Sequence, residues 1–466
     1  MSGGNKSAEP RAQNSMRRSD AIWVLSACAL VLVAMAALVK SGMLASGVAP
    51  DTAGYFAAAA SDDLWSAPRH PLYGYLAGLF GASAADAGYV PLAQAMLHVV
   101  ASLGLFAGAR AAGIGRAGSF SLFAAALVSQ SALLQVPLLL PESPAVSCLM
   151  LGFAATLAAA RSASRLRLWL VPAMIAVGAA YLLRPAFLPA PVFLAALYAA
   201  FGLRQNRPRT LARAIILFAA LIAPFVVQSG IRLRAAGDFN IVSFGGFQMS
   251  AMAGFMLTPE MVDRFPERTR ATARAVLSAR EAAEAAGTIV RTPLNSSGQR
   301  SFVSAALGYF DIYARGYDDF LHGVIDKQQQ PDESWVAFNR RMMAFSLDAV
   351  MISPPRWAAW IAGATARLTG HMIVTNAIML LALGALAAGL LFALMRRAGR
   401  ISACDGLGGV LLVTGAWIGA TAPLTVLTTF PAHRYIDTAA ALLPAVPIAL
   451  TIAIIRGLRT QAVRDR

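Results

Sequence analysis

The sequence predicts an all-α polytopic membrane protein of about ten transmembrane helices, with N- and C-termini cytoplasmic and one larger helical periplasmic segment. Three observations predict it. The 466 residues are 58% hydrophobic and only 13% charged, where a soluble domain carries about 25% charge. Apolar runs long enough to cross a bilayer alternate with short arginine clusters. Those clusters recur at every second loop, which is how basic residues orient a membrane chain. A net charge of +16 would by itself suggest nucleic acid. Here the arginines sit beside apolar runs, where they anchor helices, so a nucleic-acid partner is excluded and membrane lipid is the expected surroundings.

Each element follows in order. Residues 1–20 form a basic cytoplasmic tail with Lys6, Arg11, Arg17 and Arg18. The apolar run 21–39 exceeds a signal-peptide core and reads as an uncleaved first helix. Further spans are expected at 91–111, 119–136, 144–160, 168–183, 186–203, 211–230, 372–395, 407–427 and 438–455. With the N-terminus inside, the inner loops hold 20 Lys/Arg, and the short outer loops hold 4: Lys40, Arg69, Arg184 and Arg434. This asymmetry makes 168–183 and 186–203 two separate passes, with Arg184 at the outer tip. The chain thus divides into helices one to seven over 21–230, with a functional first periplasmic loop at 41–89. A periplasmic segment follows at 231–371, then helices eight to ten over 372–455 and a cytoplasmic tail at 456–466.

The segment 231–371 holds 15 Lys/Arg against 13 Asp/Glu. Its stretch 258–286 reads as helix, opened by Thr258-Pro259-Glu260 with proline at the first helical position. A second helix is expected over 333–351. Pro354-Pro355 breaks it, and 356–368 reads as an amphipathic helix at the membrane surface. Strand signals are weak, so a small helical cap is expected. In the first loop, 71–82 is apolar but too short to span, which predicts an interfacial or re-entrant helix.

The residues that could carry chemistry gather at the outer ends. Glu142 lies in Leu140-Pro141-Glu142-Ser143-Pro144 with almost nothing polar around it. An ionisable group at such depth is by default a functional-site hypothesis, and it also suits a helix N-terminus. Asp51, after Pro50, reads locally as a helix N-cap. Asp62-Asp63 reads as a solvated acidic pair, with a divalent metal as the weaker alternative. Arg69-His70-Pro71 and His433-Arg434-Tyr435 place cations at the outer interface. Arginine there snorkels to lipid headgroups, or its planar fork holds phosphate oxygens. The three cysteines, Cys28, Cys148 and Cys404, show no metal-ligand spacing.

In order along the chain these features resemble the GT-C class of membrane glycosyltransferases. The likeness is to the bacterial branch related to protein O-mannosyltransferases and lipid A aminoarabinose transferases. The similar stretches are Asp51 with Tyr55, Arg69-His70-Pro71-Leu72-Tyr73, Pro141-Glu142-Ser143-Pro144, Leu183-Arg184-Pro185, the helix and proline over 349–360, and Arg434-Tyr435. Three features depart from the family pattern. His70 replaces a proline, Pro141 and Ser143 flank Glu142 where Thr and Pro are usual, and 231–371 matches no acceptor-binding domain. The resemblance implies transfer of a sugar from a polyprenyl-phosphate donor to a glycan, lipid or protein acceptor at the periplasmic face of a bacterial inner membrane. It implies Asp51 and Glu142 as catalytic residues, Asp51 as general base and Glu142 orienting the acceptor, a divalent metal or an arginine. Arg69, Arg184 and Arg434 would bind the donor phosphate, with His70, Tyr55, His433 and Tyr435 as accessory residues. Two other readings compete. An O-antigen ligase or polymerase would share the large outer loop but leaves the acids of the first loop without a task. A transporter or lipid flippase would show internal repeats and polar residues near the midplane, and the sequence shows neither.

Overall fold

In lipid, every backbone N–H and C=O must be paired within the protein, so long apolar runs become helices. The computed structural model describes residues 9–44, 47–49, 51–161, 163–205, 209–289, 319–395, 406–428 and 433–464; for 9–21, 130–132, 163–164, 395, 428, 433–434 and 460–464 it describes the backbone alone. Among the described residues the chain is helical throughout, with one isolated parallel bridge between Gly47 and Leu138. Nine of these helical stretches are long and apolar enough to cross a membrane, which makes this a multi-pass membrane protein.

The first half of the chain builds most of the bundle. It comprises α1 (Glu9–Lys40), α2 (Thr52–Ala60), α3 (Leu72–Leu79), α4 (Val90–Ala111), α5 (Arg116–Leu127), α6 (Gln130–Gln135), α7 (Glu142–Ala159), α8 (Ala163–Leu183), α9 (Ala190–Arg204) and α10 (Thr210–Ala236). Helix α7 lies at the centre, packed on α4 and α8 and buried along nearly its whole length. Its Ala, Ser and Gly side chains let neighbouring backbones approach closely. Helices α1 and α10 turn mostly apolar side chains outward, as lipid-facing helices do. In the first loop, α2 and α3 pack closely. A Cβ on Gly74 would come within 2.6 Å of Ala59 Cβ and of the Tyr55 carbonyl oxygen.

Three expected spans are interrupted. The run 119–136 is not one helix: α5 ends at Leu127 and α6 starts at Gln130. The break is stable because α4 supplies its hydrogen bonds. His98 Nε2 lies 3.0 Å from the Ala126 carbonyl oxygen and 3.3 Å from that of Leu127. The Gln94 amide donates to the carbonyls of Val136 and Leu138, each at 3.0 Å. Near the other end of α4, Arg110 Nη1 donates to the Ile114 carbonyl at 2.9 Å. Residues 112–136 therefore run back along the length of α4. Broken backbone inside a bundle survives where protein satisfies its polar groups. His98, buried with 2% exposure, is thereby given a structural task.

The second half contains α11 (Gly245–Met256), α12 (Pro259–Val262), α13 (Glu267–Ala285), α14 (Trp335–Ile352), α15 (Pro354–Val374), α16 (Ala377–Met395), α17 (Leu407–Thr421), α18 (Pro423–Thr428), α19 (His433–Ala440) and α20 (Ala445–Arg464). The last two expected spans are each interrupted beside a proline, Pro423 and Pro444, which cannot donate a backbone hydrogen bond. Across the second interruption, the Trp417 indole N–H donates to the Thr438 carbonyl at 2.9 Å and the Thr414 hydroxyl donates to that of Leu442 at 3.3 Å.

The segment between α10 and α16 contains α12 and α13 within the expected 258–286, and α14 where 333–351 predicts it. Helix α15 runs beyond 356–368 to Val374 and buries Trp360 completely. Helix α11 is additional. Arginines hold its C-terminal end: Arg280 Nη1 donates to the carbonyls of Gly254, Phe255 and Leu257 at 2.9, 3.3 and 2.7 Å, and Arg356 Nη1 donates to that of Met256 at 2.9 Å. At its start the Phe247 N–H donates to Asn339 Oδ1 at 3.1 Å. The apolar core of this segment continues into Ala422, Val426, Ile436 and Ala439 of the closing helices, so segment and bundle form one packed unit.

Candidate functional site

Helix ends bring the site together. The first loop is tied to the turn before α7: the Gly47 N–H donates to the Pro137 carbonyl at 2.9 Å, and the Leu139 N–H donates to that of Gly47 at 3.1 Å. The Thr52 hydroxyl also donates to the Leu139 carbonyl, at 3.0 Å. These bonds bring the start of α2, with Asp51, beside the start of α7, with Glu142. Arg184 follows the last residue of α8, so it stands at the same end.

Two acid–arginine pairs result. Asp51 Oδ1 accepts from Arg69 Nη2 at 2.7 Å. Glu142 Oε1 lies 3.6 Å from Arg184 Nη1. Their surroundings differ: Arg69 and Asp51 side chains are 23% and 31% exposed, while Arg184 and Glu142 are each 7% exposed. Aromatic rings adjoin both arginines. The Arg69 guanidinium carbon is 4.7 Å from the Tyr55 ring centre and 5.7 Å from that of Phe244. That of Arg184 is 4.5 Å from Tyr435 and 5.5 Å from Phe187. Such contacts orient a guanidinium while leaving its edge for hydrogen bonding.

Tyr55 joins the two pairs. Burial, then the Glu142 charge, holds its phenol above the usual range, against the opposing pull of Arg69; Asp51 and Tyr435 add to the rise. Tyr73, on α3, meets the Tyr55 ring edge-on with centroids 5.5 Å apart. It is 3% exposed, and burial, Glu142 and Tyr55 raise its pKa in that order. Among the described residues its hydroxyl has no hydrogen-bond partner. A buried unsatisfied hydroxyl is costly and is the kind of group a ligand oxygen completes.

The predicted residues thus separate. Asp51, Tyr55, Arg69, Glu142, Arg184 and Tyr435 come together. Asp51 stands at the N-cap position of α2, but its side chain makes no capping bond, and its carboxylate faces Arg69 instead. His70 turns elsewhere. Its Nδ1 accepts from the Leu72 N–H at 3.2 Å and its Nε2 lies 3.2 Å from the Gln228 amide. Burial, with Arg232, lowers its pKa to about 4, so it is neutral at ordinary pH. Asp63 serves its own turn, accepting from the Trp65 and Ser66 N–H groups at 3.2 Å each, and Asp62 is exposed. Among the described residues no group of three His, Cys, Asp or Glu side chains could hold a metal ion. The His433 and Arg434 side chains lie outside the described residues.

The sequence reading gave no site role to Tyr73, Phe244 or Arg232. Arg232, 1% exposed, joins three stretches of chain. Its Nε donates to the Trp65 carbonyl at 2.6 Å, its Nη2 to the Ser243 hydroxyl at 2.6 Å, and its Nη1 lies 3.2 Å from Asp238. Ser243 also donates to Asp238 and accepts the Trp335 indole N–H on its carbonyl. This node sets Phe244 beside Arg69. An arginine near the end of an apolar helix was the available signal, but its partners are not local in sequence. Comparison with known proteins finds no matching family model, no matching curated protein and no matching solved structure.

Proposed function

We propose that this chain is a membrane glycosyltransferase of the GT-C type, moving a sugar from a polyprenyl-phosphate donor to an acceptor hydroxyl. The observation that carries this reading is the meeting of Asp51, Arg69, Tyr55, Glu142, Arg184 and Tyr435 at one end of the bundle. A carboxylate, two guanidiniums and aromatic rings are what such a transfer needs where lipid meets water. Asp51 takes the acceptor O–H proton as the acceptor oxygen bonds to the anomeric carbon. The bond from that carbon to the carrier phosphate oxygen breaks, and its electron pair leaves with the phosphate. Arg69 stabilises the departing charge. Glu142 fixes Arg184 and sets the field around Tyr55 and Tyr73.

The same reading orients the chain. Residues 112–136 count as a tenth crossing, since they run back along α4 and their break is satisfied by Gln94 and His98. Ten crossings keep both termini cytoplasmic and put the site on the periplasmic face, in agreement with the arginine asymmetry. The test is a mass-spectrometric comparison of envelope glycans and polyprenyl-phosphate sugars. It uses a deletion strain complemented with wild type or Asp51→Asn. Loss of one sugar from a glycan, accumulation of its carrier form and rescue by wild type alone are expected. An unchanged glycan profile would refute the reading.

A further inference from the structure

Tyr73 is a buried group that the folded chain leaves incomplete. It stands in the first turn of α3. That helix presses so closely on α2 that a Cβ on Gly74 would meet the Tyr55 carbonyl oxygen at 2.6 Å, which fixes the Tyr73 ring against Tyr55. The residue is 3% exposed, and among the described residues its hydroxyl has no hydrogen-bond partner. Burial and the Glu142 charge keep the phenol protonated, so it offers one O–H donor and the lone pairs of a neutral oxygen. A neutral hydroxyl is matched by another neutral oxygen, as a guanidinium is matched by an anion. Both kinds of group adjoin Tyr55: the Arg69 guanidinium carbon is 4.7 Å from its ring centre and the Tyr73 ring centre 5.5 Å. Arg69 keeps its bond to Asp51 and still has N–H groups for a phosphate. A sugar joined to a carrier phosphate supplies both partners in one molecule: an anion for Arg69 and, a few bonds away, hydroxyl oxygens for Tyr73.

We propose that the Tyr73 hydroxyl determines specificity at the donor site: it hydrogen-bonds an oxygen of the donor's sugar and so favours the glycosylated carrier over bare carrier phosphate. This rests on the transferase reading and deepens it, because bare carrier is the product of the transfer. A ligand that completes a buried, unpaired hydroxyl gains a hydrogen bond without displacing one within the protein. A ligand lacking that oxygen gains nothing there. The carrier therefore loses a contact when its sugar leaves, and the product is held more weakly than the substrate. The same bond ranks sugars, since a donor with no oxygen at that position leaves Tyr73 unpaired, as the bare carrier does.

The test presents the full-length protein in nanodiscs with polyprenyl-phosphate lipids extracted from the deletion strain, which include carrier with and without sugar. Mass spectrometry reads the ratio of the two forms retained, relative to the extract. Wild type is expected to retain the glycosylated form in preference to the bare one. Tyr73→Phe removes the hydroxyl alone and is expected to lower that preference about tenfold, while retaining bare carrier as wild type does. Tyr75→Phe removes the same atom from an exposed residue of the same helix and is expected to leave the ratio unchanged. A wild-type ratio in Tyr73→Phe, the result if water completes the hydroxyl, overturns the proposal and leaves the transferase reading standing. An equal loss of both forms makes Tyr73 a structural residue and overturns it likewise. Wild type that retains both forms alike has no sugar subsite. Wild type that retains neither overturns the subsite and the transferase reading together.

Discussion

The Asp51–Arg69 and Glu142–Arg184 pairs are made of the same two groups at the same end of the bundle, yet they are built for different work. Glu142 and Arg184 are 7% exposed on each side and stand at the ends of α7 and α8, two central helices. Asp51 and Arg69 flank the short helices of the first loop and keep 31% and 23% of their side chains exposed. A buried pair is hard to separate because either charge alone is expensive in low dielectric. A half-exposed pair contributes little to stability and can change partners. The buried Glu142–Arg184 pair ties two central helix ends together, and under the transferase reading the Asp51–Arg69 pair is the one that reacts.

Variants test this division. The largest effect is expected at the buried pair: Arg184→Ala should lower stability by about 3–5 kcal/mol, read by thermal unfolding in detergent. Arg69→Ala should lower it by about 1 kcal/mol or less. Equal losses would erase the distinction. Next, Asp51→Asn should reduce transfer by about 100-fold or more while leaving the melting temperature near that of wild type. A matching drop in melting temperature would make Asp51 a structural residue.

Tyr73→Phe should change stability by less than about 1 kcal/mol, since no protein partner is lost among the described residues. If its hydroxyl binds substrate, activity should fall while the melting temperature holds. A variant with full activity would remove Tyr73 from the site. His70 gives a smaller, pH-dependent effect. Its folded-state pKa is lowered from 6.5 to about 4, so the unfolded chain binds a proton that the folded chain refuses. The His70 contribution to stability is complete above pH 6.5 and declines as pH falls towards 4. His70→Asn should flatten that acid decline in melting temperature; an unaltered profile would show that other groups cause it. The smallest effect is expected from Gly54→Ala. Its new Cβ pushes on Arg69 without altering any charge, so activity should fall modestly with little change in stability.

Much of the candidate site was legible in the sequence because charged residues are rare here and their positions stand out. Glu142 and Arg184 attract notice as ionisable groups beside apolar runs. Their pairing does not, because it depends on how α7 and α8 pack. Asp51 shows the same limit from the other side. After a proline and before a helix it reads as a cap, whereas in the fold its carboxylate meets Arg69, eighteen residues away. Tyr73 and Phe244 resemble ordinary core aromatics until their neighbours are known. The helix break at Val128-Ser129 carries no glycine or proline signal, and it exists because His98 and Gln94 on α4 receive the freed carbonyls.

By itself the sequence determined the helical membrane class, most of the long helices, and the gathering of acids and arginines near helix ends. Those properties follow from hydropathy and helix length, which are local and accumulate residue by residue. Tertiary structure alone decided which acid meets which arginine, where apolar runs break, and how 231–371 joins the bundle through Arg232 and a shared core. Each of those depends on partners far apart in the chain, and a buried charge or free carbonyl takes its role from whichever partner the packing brings to it.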